Sequence, residues 1–173
     1  NRSLDDIPGF PSAHPFIVGA SPLGDHLDTV RRLEDAGCAA IVLHSLFEEQ
    51  ITFDSFYVDH YLRSGVDSFA ESLSYFPEMQ SYNVWPDEYL NLIRRAKEAV
   101  DIPIIGSLNG VSFGGWINHA PLIEDAGADA LELNVYYLPT SLDLAGQEVE
   151  NIYLDLLREV KRTVTIPLAM KLS

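Results

Sequence analysis

Short apolar runs alternate along this chain with amphipathic stretches whose apolar residues recur every three or four positions. Phe16–Ala20 reads as a first strand, ended by Ser21-Pro22, and Asp25–Ala36 as a first helix. In that helix Leu27, Val30, Leu33 and Ala36 share one face. Gly37 stands where the residue past a helix end takes positive φ. Ala39–Leu43 is apolar throughout, as a strand covered on both faces requires. From His44 to Trp85 periodicity is lost, although Thr52–Val58 alternates polar and aromatic residues as a half-exposed strand or hairpin would. A connection this long is uncommon in a compact domain and usually functional. Pro86 fits the first turn of a second helix running to about Val100. Ile102–Ser107 reads as a third strand, followed by a third helix ending near Ala126. Pro121 is expected to kink that helix or delay its start. Ala130–Asn134 reads as the fourth strand, Glu148–Val164 as the fourth helix and Ile166–Lys171 as the fifth strand.

This βα alternation predicts an α/β fold with a parallel sheet. Two internal echoes strengthen it. Leu33–Ile41 resembles Ile123–Leu131, each a helix end, a Gly turn and the start of a buried strand; Val100–Ile104 resembles Val164–Leu168. Repeated αβ turns are what a (β/α)8 TIM barrel produces. The expectation is therefore a single domain over residues 1–173, forming the N-terminal portion of such a barrel with about five strands. A full barrel takes roughly 250 residues, so a longer parent protein is expected. The rival, an open doubly wound sheet, normally carries a Gly-rich turn after its first strand, and Ala20-Ser21-Pro22-Leu23-Gly24 matches that poorly.

Composition narrows the function classes. Of 173 residues, 47% are hydrophobic and 21% charged, which suits a globular protein with a real core. No run approaches the ~18 apolar residues of a membrane span, and Asn1–Pro15 lacks the build of a signal peptide. A net charge of −15 argues against nucleic-acid partners, which need basic surface. One cysteine, Cys38, rules out an internal disulfide and fits a reducing cytoplasm; it reads as a small core residue.

In a barrel the chemistry lies at the C-terminal ends of the strands. There this sequence places Ala20-Ser21, His44-Ser45, Ser107-Leu108-Asn109-Gly110, Asn134 and Lys171, each interrupting an apolar run. The plain alternative is that they only cap strand ends. Lys171 could hold developing negative charge on a cofactor, form a Schiff base if desolvated, or merely snorkel from a sheet end. The five histidines show no metal-ligand spacing, so no metal is expected. Glu48-Glu49 reads as a solvated turn. The glycines at 106, 110, 114 and 115 lack the Gly-Lys-Ser/Thr of a phosphate loop and read as turn chemistry. The aromatics of 74–77 and 136–139 either line a pocket or seal loops.

These strand ends, taken in order, resemble the FMN-dependent dihydroorotate dehydrogenase family, in particular its soluble class 1 members and their dehydrogenase-like relatives. Ala130-Leu131-Glu132-Leu133-Asn134 with its Pro-containing loop resembles the family's E-L-N-x-S-x-P-N signature, and Pro167–Ser173 its P-x-x-x-K-L-x strand. Ala20-Ser21 and Ser107-Leu108-Asn109-Gly110 resemble its small residues after the first strand and its S-x-A-G turn. The resemblance implies FMN over the barrel mouth, with Ala20, Ser21, His44, Ser45, Ser107, Asn109, Asn134 and Lys171 as its contacts in this half. It implies oxidation of a ring CH–CH bond, dihydroorotate to orotate in pyrimidine biosynthesis, with hydride passing to flavin N5. A small-molecule substrate, a cytoplasmic location and neither nucleic acid nor membrane as partner belong to the same reading, and a homodimer is left open.

Three positions depart from the family pattern. His44-Ser45 replaces a Lys-Ser pair, and Ser72–Pro77 stands where a substrate-binding Asn is supplied. Val135-Tyr136-Tyr137-Leu138 replaces the loop that carries the Cys or Ser base. The catalytic residue is thus unassigned, with Tyr137 and Thr140 the nearest candidates; a tyrosine of pKa about 10 is poorly matched to neutral pH. Two other classes stay open: a Schiff-base aldolase or lyase using Lys171, and a non-catalytic half-barrel pairing through its sheet edges.

Overall fold

The computed structural model describes residues 14–47, 84–110, 113–135 and 145–172. In chain order these form β1 (Ile17–Val18), a 3-10 turn (Pro22–Gly24), α1 (Leu27–Asp35) and β2 (Ala40–Phe47). Then come α2 (Val84–Ala99), β3 (Ile104–Asn109), α3 (Phe113–Asp125), β4 (Ala130–Asn134), α4 (Gly146–Thr163) and β5 (Leu168–Lys171). The strands pair in sequence order, β1-β2-β3-β4-β5, and every pairing is parallel. The sheet curls into a half-barrel, part of a TIM-barrel architecture. A doubly wound sheet would reverse its strand order at a switch point. This one does not, so the rival topology is excluded.

Side-chain alternation gives the sheet two different faces. On the outer face Ile41, Leu43, Ile104, Leu108, Leu131 and Leu133 are buried beneath α-helical residues that include Ile93, Ile123, Leu156 and Val160. The inner face carries a separate, smaller cluster of Ala40, Val42, Ile105 and Ala130 with Ile17 and Ala20, all contributed by strands or by the end of β1. α3 approaches β3 closely at Gly106, where a Cβ would lie 2.4 Å from Ile123 Cγ2. The helix runs through Pro121 without the delayed start expected from sequence. The lost backbone bond costs about 3 kcal/mol, against the burial of Trp116, Ala120 and Ile123 around it.

The internal echoes become a structural repeat at the N-terminal ends of the strands. Gly37 and Gly127 both have positive φ, 87° and 96°, and each turns a helix into the next strand. Pro103 and Pro167 begin β3 and β5 without an N–H, and their carbonyls accept Ile41 and Leu131 N–H, both at 3.0 Å. Glu34, at the end of α1, accepts the Asp101 and Ile102 N–H groups at 2.7 and 3.1 Å. Glu124, at the end of α3, accepts Thr165 N–H and the Thr165 hydroxyl. Those bonds, the hydroxyl foremost, hold the Glu124 carboxyl below its ordinary range, with desolvation opposing them. Between these two, Asp129 accepts Ile104 N–H at 2.7 Å and pairs with Lys97 Nζ at 2.8 Å.

Among the described residues no helix is long and apolar enough to cross a membrane, and no three His, Cys, Asp or Glu side chains are gathered as a metal site.

Candidate functional site

The register of the sheet brings four of the sequence-predicted residues onto one face. Ser45 pairs with Ser107, Ser107 with Glu132, Glu132 with Ala169, and one step higher Asn134 pairs with Lys171. All of these lie on the inner face, above the apolar row of Val42, Ile105 and Ala130.

Ser45 reaches that face through a bulge. From Val42 to Ser45 β2 advances three residues while β3 advances two, Ile105 to Ser107. A bulge of this kind inserts one unpaired residue and re-aims the side chains beyond it, and bulges are frequent beside active sites. Leu43 stays on the outer face, and His44, next along the bulge, meets Tyr89 of α2 edge-on at 5.0 Å. The apolar run alone would end β2 at Leu43; the strand continues to Phe47 because the bulge absorbs the polar pair without breaking it.

Tyr89 closes the gap that the bulge leaves. Its hydroxyl accepts Ser107 N–H at 2.8 Å and donates to Ser107 C=O at 3.2 Å. Burial pushes the phenol well above its ordinary pKa, with the Glu132 charge adding to the rise, so it is a fixed neutral partner. Ser107, wholly buried, is thereby pinned by its backbone, and its side chain is free to serve the inner face. There Ser107 Oγ lies 2.7 Å from Ser45 Oγ and donates to Glu132 Oε1 at 3.3 Å. Asn134 Nδ2 donates to Ser45 Oγ at 3.3 Å. The network ends on Asn134 Oδ1, a buried acceptor with no hydrogen-bond partner among the described residues.

The remaining candidates surround this network unevenly. Ala20 borders the inner apolar cluster. Ser21 starts the 3-10 turn, whose Gly24 packs on β2 so closely that a Cβ would lie 3.2 Å from Leu43 Cδ2. That turn delivers Asp25, and His44 Nδ1 lies 2.7 Å from Asp25 Oδ1. A carboxylate on Nδ1 fixes the tautomer and leaves Nε2 as the ring's other functional atom, so the pair can hold or move a proton at the rim. Asn109 ends β3 beside Phe47, next to Gly110, where the Trp116 ring fills the space a Cβ would need. Lys171 is exposed at the end of β5. Tyr137, Thr140 and the loop at 72–77 lie outside the described residues.

Two participants carry almost no signal in the sequence. Glu132 shows as a lone charge inside the apolar run Ala130–Asn134 and as the first letter of the signature that segment resembles, with no role attached to it; Tyr89 looks like any apolar position on a helix face.

The orphaned acceptor and the lysine at the paired strand end suit a ligand that offers an N–H and carries or gains negative charge.

No family model matches the chain. It is 26% identical over 165 residues to the NAD-dependent dihydropyrimidine dehydrogenase subunit PreA of Escherichia coli (strain K12), covering 92% of this chain and 39% of that protein. It is 25% identical over 171 residues to the catalytic subunit of dihydroorotate dehydrogenase B (NAD(+)) of Thermoplasma volcanium, covering 96% of this chain and 52% of that subunit. Among solved structures it is similar to dihydrodipicolinate synthase DapA-2 of Bacillus anthracis, with a TM-score of 0.54, 16% identity, and coverage of 90% of this chain and 44% of that one. Dihydrodipicolinate synthase of Agrobacterium tumefaciens gives a TM-score of 0.51 at 15% identity, covering 90% and 43%. The structural likeness concerns the barrel architecture. The sequence likeness points to dehydrogenase subunits, of which this chain spans about two-fifths in one case and about half in the other.

Proposed function

We propose that the inner face of this half-barrel holds FMN in a dehydrogenase acting on a ring CH–CH bond, with a substrate of the dihydroorotate or dihydropyrimidine kind. The observation that carries the reading is the chain from half-buried Glu132 through buried Ser107, Ser45 and Asn134, ending on an Asn134 oxygen without a partner among the described residues, at the strand end paired with Lys171. A buried acceptor left unpaired costs about 1–3 kcal/mol, and a ligand N–H at that place removes the cost. When bound, FMN supplies the acceptor for a hydride taken from the substrate ring.

The chain's own residues do the rest. Asn134, Ser45 and Ser107 offer a preorganised polar edge whose geometry is set by the sheet and by Tyr89. Lys171 brings a positive charge to the same strand ends, where it would stabilise negative charge gained by the ligand on reduction. The His44–Asp25 pair is the described group best able to hold a proton at this rim. The dehydrogenase relatives at 25–26% identity support the reaction class.

The test is an absorbance spectrum and cofactor extraction on the complete gene product, purified without added flavin. Stoichiometric FMN is the expected result. A folded, colourless protein that also ignores added FMN would overturn the reading. Borohydride trapping of a carbonyl substrate on Lys171 would then identify the Schiff-base alternative.

A further inference from the structure

We infer that Glu132 is a positioning residue that fixes the donor–acceptor direction of the whole inner-face network, so that Asn134 presents its carbonyl oxygen, and not its amide N–H, to the ligand. The inference deepens the flavin reading and rests on it for the identity of the ligand.

The direction is set by the number of protons available. A carboxylate only accepts, so the Ser107 hydroxyl must spend its single proton on Glu132 Oε1, 3.3 Å away. The 2.7 Å contact between Ser107 and Ser45 then needs the Ser45 proton. Ser45 has no proton left, so its contact with Asn134 requires an amide donor, which is the orientation found, Nδ2 to Oγ at 3.3 Å. Asn134 Oδ1 is left over, buried and without a partner among the described residues. Each choice forces the next, and only the end at Glu132 is fixed by charge. Reversal would aim a serine lone pair at a carboxylate. Ser107 cannot escape by shifting, because Tyr89 holds both its backbone N–H and its C=O.

The ligand edge facing Asn134 must therefore carry an N–H. Oxidised FMN has one on its ring, at N3, so a flavin methylated at N3 is the matched probe. Wild-type complete protein should bind FMN at least roughly tenfold more tightly than N3-methyl FMN, the worth of one buried acceptor left unpaired. In Glu132→Ala, which removes the acceptor, Asn134 is free to turn its amide toward a ring carbonyl of the methylated flavin, whereas Glu132→Gln can still accept from Ser107 and serves as the shape-matched control. In Glu132→Ala the preference should then shrink to about threefold or less. A wild-type protein without the preference, or a Glu132→Ala variant that keeps it in full, would overturn the inference, since a purely steric effect of the methyl group is unchanged by residue 132.

A second readout needs no cofactor. In the ligand-free complete protein, the Asn134 side-chain amide protons should exchange with solvent at least about tenfold more slowly in wild type than in Glu132→Ala. Equal exchange rates would overturn the inference. If wild type binds no flavin at all, the proposed function fails while the exchange comparison still decides the role of Glu132.

Discussion

The two ends of the same sheet handle their polar groups in opposite ways. At the N-terminal ends, Glu34, Asp129 and Glu124 each accept backbone N–H groups from a neighbouring turn or strand start, and the pattern repeats with the sequence echo. At the C-terminal ends, Ser45, Ser107, Asn134 and Glu132 bond to one another, and the network stops at an oxygen without a partner among the described residues. The first arrangement is complete within the described residues and can only stabilise. The second is preorganised but unfinished, which is how a ligand-binding edge differs from a structural seam. A barrel separates the two roles in space, so substitutions at one end should change stability and at the other binding.

The largest expected effect lies between the two ends, at Tyr89. Tyr89→Phe removes two buried hydrogen bonds to the Ser107 backbone, which should cost roughly 1–3 kcal/mol at about 0.5–1.5 kcal/mol per bond. Chemical denaturation reads this directly, and a loss below about 0.5 kcal/mol would show that the ladder closes without the phenol. The same variant should weaken FMN binding, because Ser107 loses the anchor that holds its hydroxyl on the inner face.

Next comes Lys171→Ala, which should lower FMN affinity or the rate of flavin reduction by about tenfold or more in the complete protein while leaving the denaturation midpoint nearly unmoved. Lys171 is exposed, so its removal opens no cavity. Unchanged affinity and unchanged reduction would remove it from the site. Asn134→Ala should likewise harm flavin binding and turnover more than folding, and a large drop in melting temperature with normal turnover would reverse the assignment.

How much of this is legible in the sequence depends on whether the signal is periodic. β4 lies where the apolar run places it, Ala130–Asn134, and the two Gly turns take the positive φ expected from their position after a helix. The polar strand ends are also visible, because each interrupts an apolar run. The bulge in β2 is not, since one inserted residue alters register without altering composition; His44 and Ser45 look like a loop and are strand. Glu132 is hidden for a related reason. Inside a run of β-type residues a single charge reads as noise until the register shows that it shares a face with Ser107 and Asn134.

The smallest effect tests the stabilising end alone. Glu124 has its carboxyl held below the ordinary range, chiefly by the Thr165 hydroxyl and N–H. A group depressed on folding adds stability that is present above its unfolded pKa and lost as pH falls through the folded one. Wild type should therefore lose this contribution on acidification below the ordinary carboxylate range, and Glu124→Gln should remove it at neutral pH while flattening the acid limb of the stability curve. Because the carboxyl is close to solvent, the effect at neutral pH should stay within about 1 kcal/mol. Flavin affinity should be untouched, since Glu124 lies at the opposite end of the sheet from Asn134. A Glu124→Gln variant with weakened flavin binding and an unaltered stability curve would mean that the two ends are coupled, contrary to their separation in the fold.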